Sequence, residues 1–238
     1  MTKDNQQNKE NIKAMFNDIA NNYDRLNNIL SLGLHKRWKR LATNKLNINK
    51  GDRVLDVCSG TADMAIMLAK EVGNEGGAIA LDFSNEMLQI GMEKALRENV
   101  RNVIQFIRGD AEELPFDDDS FDGITIGFGI RNVPHRERAF SEMSRVLKKG
   151  KRLACLEFSH PTFTPAKLAY DFYSFRLIPK IGRVISNNYE AYSYLPASIR
   201  SFPNQEELKI TIEKCGFKDV FYKNLSCGIV ALHVGEKP

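Results

Sequence analysis

Two acids in this chain close apolar runs at a chemically telling separation. Asp56 stands in the run Arg53–Val57, and Asp82 ends the run Ala-Ile-Ala-Leu-Asp about 25 residues later. Between them lie a turn of small residues, Ser59-Gly60-Thr61-Ala62-Asp63, and an amphipathic stretch reaching Ala69. A carboxylate at the end of a second strand can accept both hydroxyls of a ribose, as in nucleotide-binding βαβ units. A bound pyrophosphate asks for more: a G-x-G-x-x-G turn and a helix start free of negative charge. Here Ala62 stands where the second glycine belongs, and Asp63 sits at the helix start. S-adenosylmethionine (SAM) brings a ribose, an ammonium and a sulfonium but no phosphate. The pattern therefore predicts a SAM site and opposes a dinucleotide. Its expected cofactor-binding residues are Asp56, Gly60, Thr61, Asp82, Asp110 and Ala111. Gly60 lets the backbone approach, Thr61 faces the methionyl end, Asp82 takes the ribose, and Asp110-Ala111 lie by the adenine.

Such residues need strand ends to hold them. The pattern predicts strands at Arg53–Val57, Ala78–Phe83, Val103–Arg108, Gly123–Gly127 and Arg152–Phe158. Helices are expected at Ala62–Val72, at Asn85–Glu98 with Ser84 as N-cap, and at Arg136–Leu147, ended by the Lys-Lys-Gly turn at 148–150. Alternation of this kind implies an α/β fold: a Rossmann-like, seven-stranded, mostly parallel sheet with helices on both faces. A helix at Gln205–Cys215 and strands Phe217–Lys223 and Gly228–Val234 finish it with an antiparallel C-terminal strand. Before the sheet, residues 1–50 read as an N-terminal helical cap. The tail to Asn11 is expected to be disordered, and the asparagines at 17, 21, 22, 27 and 28 to break the helix that begins at Ile12. A second helix is expected at Trp38–Leu46. Residues 159–203 read as a lid or substrate insertion within one domain spanning 1–238, with an aromatic-rich helical core, Leu168–Ile185, that carries Phe172, Tyr173, Phe175 and Ile178.

With 238 residues and a net charge of +4, the chain can bury one large core, and its charge is too mild to imply nucleic acid. Lys36, Arg37, Lys39 and Arg40 cluster beside His35 and Trp38, as a solvated helix face or a contact for anionic lipid. The acids Asp117, Asp118 and Asp119 occupy a polar turn and do not make a metal site. Cys58, Cys155, Cys215 and Cys227 show no C-x-x-C spacing, so neither disulfides nor zinc are expected. The polar N-terminus lacks the apolar stretch of a signal peptide, and no run of about 18 apolar residues occurs. The expected location is cytoplasmic, with peripheral membrane contact possible.

The segments YDRLNNILSLGLHKRWK (Tyr23–Lys39), RVLDVCSGTAD (Arg53–Asp63), GIRNV (Gly129–Val133), YSYLPASIRSFPNQEEL (Tyr192–Leu208) and NLSCGIVALHVGEKP (Asn224–Pro238) resemble the quinone C-methyltransferase family. That family includes demethylmenaquinone methyltransferase and the ubiquinone-pathway enzyme acting on a polyprenyl methoxybenzoquinol. The resemblance implies SAM as co-substrate, no metal, and a prenylated quinol as methyl acceptor. It puts demethylmenaquinol first, because the short N-terminal region resembles that of menaquinone-only members. It also implies catalytic roles: Arg131 and Asn132 orient the quinol oxygens, and Tyr194 or His35 accepts or relays the proton. The expected partners are the quinol, a membrane surface and a second copy of the chain. The family usually has a glycine where Ala62 stands, so Ala62 is expected to narrow the space for SAM. Two other readings remain open: methylation of another lipid or small aromatic, and a SAM-binding sensor without transfer activity.

Overall fold

The computed structural model describes residues 3–163, 165 and 189–238. Its centre is a seven-stranded sheet in the order β3-β2-β1-β4-β5-β7-β6. The strands are β1 (Arg53–Val57), β2 (Gly77–Asp82), β3 (Ile104–Arg108), β4 (Phe121–Gly127), β5 (Leu147–Phe158), β6 (Lys218–Leu225) and β7 (Val230–Glu236). The first five are parallel, and β7 runs antiparallel to both β5 and β6. The expected fold is the observed one.

Two apolar layers sandwich this sheet. One includes Val54, Ala65, Leu68, Ala80 and Leu156 under α3 (Asp63–Val72) and α2 (Leu34–Thr43). The other includes Leu55, Ile124, Phe140, Met143 and Ile212 under α5 (Arg136–Val146) and α7 (Gln205–Lys214). β1 and β4 lie in the middle and are buried on both faces, which is why they read as continuous apolar runs. α4 (Asn85–Arg97) starts at Ser84, whose hydroxyl accepts the Met87 N–H at 3.1 Å. α7 carries a full capping box from Asn204 and Glu207.

Three expectations are corrected. First, α1 is one continuous helix from Lys3 to Leu30, with neither the disordered tail nor the breaks predicted at its asparagines. Helix propensity is a weak force beside burial. Ile19, Ala20 and Leu26 pack with Met87 of α4, and Met15, Phe16, Tyr23 and Leu30 extend that seam. The asparagines also find partners: Asn17 Oδ1 accepts from Ser84 at 2.7 Å, and Asn28 Oδ1 lies 3.0 Å from His35 Nε2. Second, α2 begins at Leu34, four residues before Trp38, after a left-handed Gly33 that turns the chain. Third, Lys148-Lys149-Gly150 does not end a helix; it belongs to β5, which starts at Leu147. The predicted aromatic segment Leu168–Ile185, with Phe172, Tyr173, Phe175 and Ile178, lies outside the described residues.

Candidate active site

Beyond the carboxyl ends of β1, β2 and β4 the chain forms a cleft of about 920 Å³, open mouth included. Its walls come from the turn after β1 (Cys58 to Thr61), the end of β2 (Leu81 to Phe83), Gly109 to Glu112, and Gly127 to Gly129 with Asn132 to Pro134. Helix α1 closes one side with Ile12, Phe16 and Tyr23, and α2 adds Lys39.

Asp82 is the anchor. Its carboxylate is 5% exposed and accepts the Gly60 N–H at 2.8 Å and the Ser84 N–H at 2.9 Å. Burial raises its pKa against these hydrogen bonds. Each carboxylate oxygen keeps a further lone pair, as a ribose diol requires. Gly60 adopts a φ of +53°, and Tyr23 lies 4.0 Å from where its Cβ would stand. Asp110 and Ala111 line the neighbouring wall, with Asp110 Oδ1 accepting the Glu112 N–H at 2.9 Å. A buried diol acceptor, a close backbone turn and an apolar slot beside Phe83 fit the ribose and adenine of SAM.

Asp56 does something else. It is absent from the cleft wall and sits inside the sheet, where Thr125 donates to it at 2.7 Å and the Ala65 N–H at 3.0 Å. It thus satisfies one of the free N–H groups in the first turn of α3, whose own N-cap, Ala62, has no side chain to offer. Full burial pushes its pKa up to about 7. Ala62 does not narrow the cleft either. Its φ is +63°, and its methyl group packs toward α4, 2.9 Å from where a Cβ on Gly91 would stand. The expected loss of room for SAM is thereby corrected; the substitution loads the backbone instead.

Thr61 lines the cleft, yet its hydroxyl is engaged: it donates to Asp24 at 2.6 Å and accepts from Lys94 at 3.0 Å. These contacts belong to a polar network that sequence reading missed. Lys94 of α4 also pairs with Asp24 of α1 at 2.6 Å and with Asp63, and Asp63 pairs with Lys39 at 2.8 Å. The two ammonium groups overcome burial and hold the Asp63 carboxyl well below the usual range. Burial presses Lys39 toward neutrality, but Asp63 keeps its pKa raised. A cation therefore stands in the cleft wall, beside the turn expected to face a carboxylate. Lys39 looked like one more member of a surface cluster because nothing local in sequence marks its inward turn.

Past β4, the Gly129-Ile130-Arg131-Asn132-Val133 segment forms a short 3-10 turn. Gly129 is required there, since a Cβ would stand 2.4 Å from that of Cys58. Asn132 reaches the cleft and accepts a hydrogen bond from the Tyr194 hydroxyl at 3.0 Å. Tyr194 comes from α6 (Tyr189–Arg200), and burial raises its pKa. Arg131 turns behind the wall to Glu157 at 2.7 Å and to the Phe128 carbonyl at 2.6 Å, with its guanidinium over the Phe158 ring. His35 lies outside the cleft wall as well; burial lowers its pKa to about 4, so it is neutral near pH 7. Thus Asn132 and Tyr194 meet at the cleft, while Arg131 stands one layer back and His35 sits on the buried face of α2.

Among the described residues, no group of three or more His, Cys, Asp or Glu could hold a metal ion. No described helix is long and apolar enough to cross a membrane.

Comparison with known proteins agrees with this fold. Solved structures share the fold: the [4+2]-cyclase SpnF aligns with a TM-score of 0.71 at 17% identity, covering 97% of both chains. A putative methyltransferase in complex with the Haloferax volcanii Trm112 activator aligns at 0.68 and 17% identity, over 94% of this chain and 97% of that one. Sequence relatives are far nearer. A ubiquinone/menaquinone biosynthesis C-methyltransferase of Legionella pneumophila (strain Corby) is 44% identical over 226 residues, 95% of this chain and 90% of that protein. Its namesake in Pseudomonas fluorescens (strain SBW25) is 44% identical over 232 residues, 98% and 91% respectively. The family model described as ubiE/COQ5 methyltransferase matches residues 1–237, and the chain belongs to that family.

Proposed function

We propose that this chain transfers the methyl group of SAM to a ring carbon of a prenylated quinol. Demethylmenaquinol in menaquinone biosynthesis is the first acceptor, and 2-polyprenyl-6-methoxy-1,4-benzoquinol in ubiquinone biosynthesis the second. The observation that carries the reading is the buried Asp82 carboxylate, set at a β2 end beside a glycine turn. Near-full-length identity to relatives named for quinone C-methylation supports the acceptor class.

In this reading SAM supplies an electrophilic methyl group on sulfonium. Asp82 binds the ribose hydroxyls, Asp110 and Ala111 flank the adenine, and Thr61 with Lys39 frames the methionyl carboxylate. The chain's part in the chemistry is to position the ring and to favour its deprotonated form. Asn132 uses its amide N–H to hold a quinol oxygen while its carbonyl is fixed by Tyr194. Tyr194, with its pKa raised, remains a phenol near neutral pH and relays the proton rather than carrying the charge. Arg131, expected to orient the quinol oxygens, instead pairs with Glu157 behind the wall and holds the turn that presents Asn132. His35, buried outside the cleft wall with its Nε2 held by Asn28 at 3.0 Å, is not positioned to take that proton. Residues 1–50 act as a cap over the SAM end; most of the expected insertion, 159–203, lies outside the described residues.

Quinone profiling of cells with and without the gene tests the acceptor. Accumulation of demethylmenaquinone on deletion supports the first reading. Accumulation of the methoxybenzoquinol alone moves the assignment to the second. Unchanged quinones contradict both and favour a SAM-binding sensor.

A further inference from the structure

The helices that wall the cleft carry a second surface on their outer faces. From Arg25 to Lys50 the chain has seven Lys or Arg residues and no Asp or Glu, leaving 27 basic against 30 acidic residues, a net charge of −3, in the remainder. The molecule's positive surplus is thus concentrated at the end of α1, the turn that follows, and α2 with its exit loop. Only Lys39 among the seven is buried. Arg25, Lys36, Arg37 and Arg40 are exposed and pair with no acid among the described residues.

Large apolar side chains stand among these cations. Leu32 is 87% exposed, Leu34 41% and Ile29 38%. Leu32 also holds a φ of +50°, in the left-handed region that L side chains rarely adopt. That backbone closes the end of α1, with the Leu32 N–H on the Ile29 carbonyl at 3.2 Å and the Gly33 N–H on the Asn28 carbonyl at 2.8 Å. The exposure of the leucine side chain, however, gains nothing inside the fold. On α2 the charged residues Lys36, Arg37 and Arg40 lie opposite the buried Trp38 and Ala42.

We propose that this face docks on an anionic lipid surface, with Leu32, Ile29 and Leu34 entering the headgroup layer and Arg25, Lys36, Arg37 and Arg40 meeting the phosphates. An apolar tip ringed by cations matches the two-part chemistry of such a surface, apolar beneath anionic. A nucleic acid offers the anions but nothing for Leu32. The inference stands on the surface itself and holds whether or not the acceptor is a quinol. If it is, docking serves the reaction, because Tyr23 in the cleft wall is only about 9 Å along α1 from Ile29.

Vesicle flotation with the full chain, in the absence of SAM and quinol, tests the proposal separately from the reaction. The expected result is binding to phosphatidylglycerol-containing vesicles that weakens with added salt, and weak binding to pure phosphatidylcholine. The triple variant Lys36→Glu, Arg37→Glu, Arg40→Glu should lose at least about a hundredfold in affinity, since each cation near an anionic surface contributes roughly fivefold and each added carboxylate repels it. Leu32→Asn, which leaves every charge in place, should lower binding to anionic vesicles about tenfold. Both variants should melt no lower than wild type, and both should keep its SAM affinity. Equal binding to neutral and anionic vesicles, or wild-type binding by the triple variant, overturns the proposal. So does stronger competition by RNA than by anionic vesicles, or loss of a dimer in place of loss of vesicle binding.

Discussion

Arg131 and Glu157 form an ion pair 2.7 Å apart, with side chains only 7% and 1% exposed. Glu157 further accepts the backbone N–H of Phe158 at 2.9 Å, and Glu157 outweighs burial in holding the Arg131 pKa up. The guanidinium Nε has no hydrogen-bond partner among the described residues. The pair therefore ties the end of β5 to the turn that presents Asn132.

Glu157→Gln leaves a buried guanidinium without its counter-charge. Breaking one side of a buried pair costs about 3 kcal/mol. Urea unfolding should show that loss, and the double variant Glu157→Leu, Arg131→Met should recover most of it. A cost under about 0.5 kcal/mol for Glu157→Gln would mean that the pair holds nothing.

Asp82→Ala removes the proposed ribose acceptor, and hydrogen bonds to a charged group are worth roughly 1.5–3 kcal/mol. Calorimetry should show SAM affinity reduced about ten- to a hundredfold. Some stability should also go, because the Gly60 and Ser84 N–H groups lose their acceptor. A folded variant that binds SAM as tightly as wild type would remove Asp82 from the site.

Lys94→Met cuts α1 loose from α4 at Asp24, while Asp63 keeps Lys39. The Lys94 and Asp24 side chains are 19% and 35% exposed, so solvent screening keeps the effect near about 1 kcal/mol. Amide exchange in α1 should quicken about fivefold, and SAM affinity should fall by a similar factor. Unchanged exchange would show that the apolar seam alone seats α1.

His233 is buried, lies 2.8 Å from the Gln205 carbonyl, and has its pKa lowered to about 4 by burial. A histidine whose folded pKa is depressed contributes full stability above its unfolded value of about 6.5, and that contribution drains away as pH falls toward 4. The loss by pH 5 is about 2 kcal/mol. Asp56, raised to about 7, runs the opposite way, with stability falling as pH rises from about 4 to 7. The readout is therefore wild type against His233→Gln. The variant should lose less stability between pH 7.5 and pH 5, and equal losses would contradict the assignment.

The centre of the sheet was legible in the sequence because β1, β2 and β4 are largely apolar runs that end at or just before small or acidic residues, and burial on both faces leaves that mark. Asp82, Gly60 and Asp110 could be located for the same reason: strand ends define the cleft. Asp56 could not be separated from Asp82 by position, since both sit near strand ends, and only the α3 N-terminus above Asp56 turns it into a cap. Lys39, Lys94 and Asp24 meet from three helices far apart in sequence, and no local pattern announces them. The asparagine-rich α1 misled for the same cause, because its helicity comes from packing on α4.

Transfer of labelled methyl from SAM to demethylmenaquinol by the purified chain is the most direct measurement of the central claim. The account predicts label on the quinol ring carbon. With quinol saturating, it also predicts that turnover falls about 100–1,000-fold in Asn132→Ala while SAM affinity is unchanged. A chain that binds SAM yet labels no quinol would contradict it.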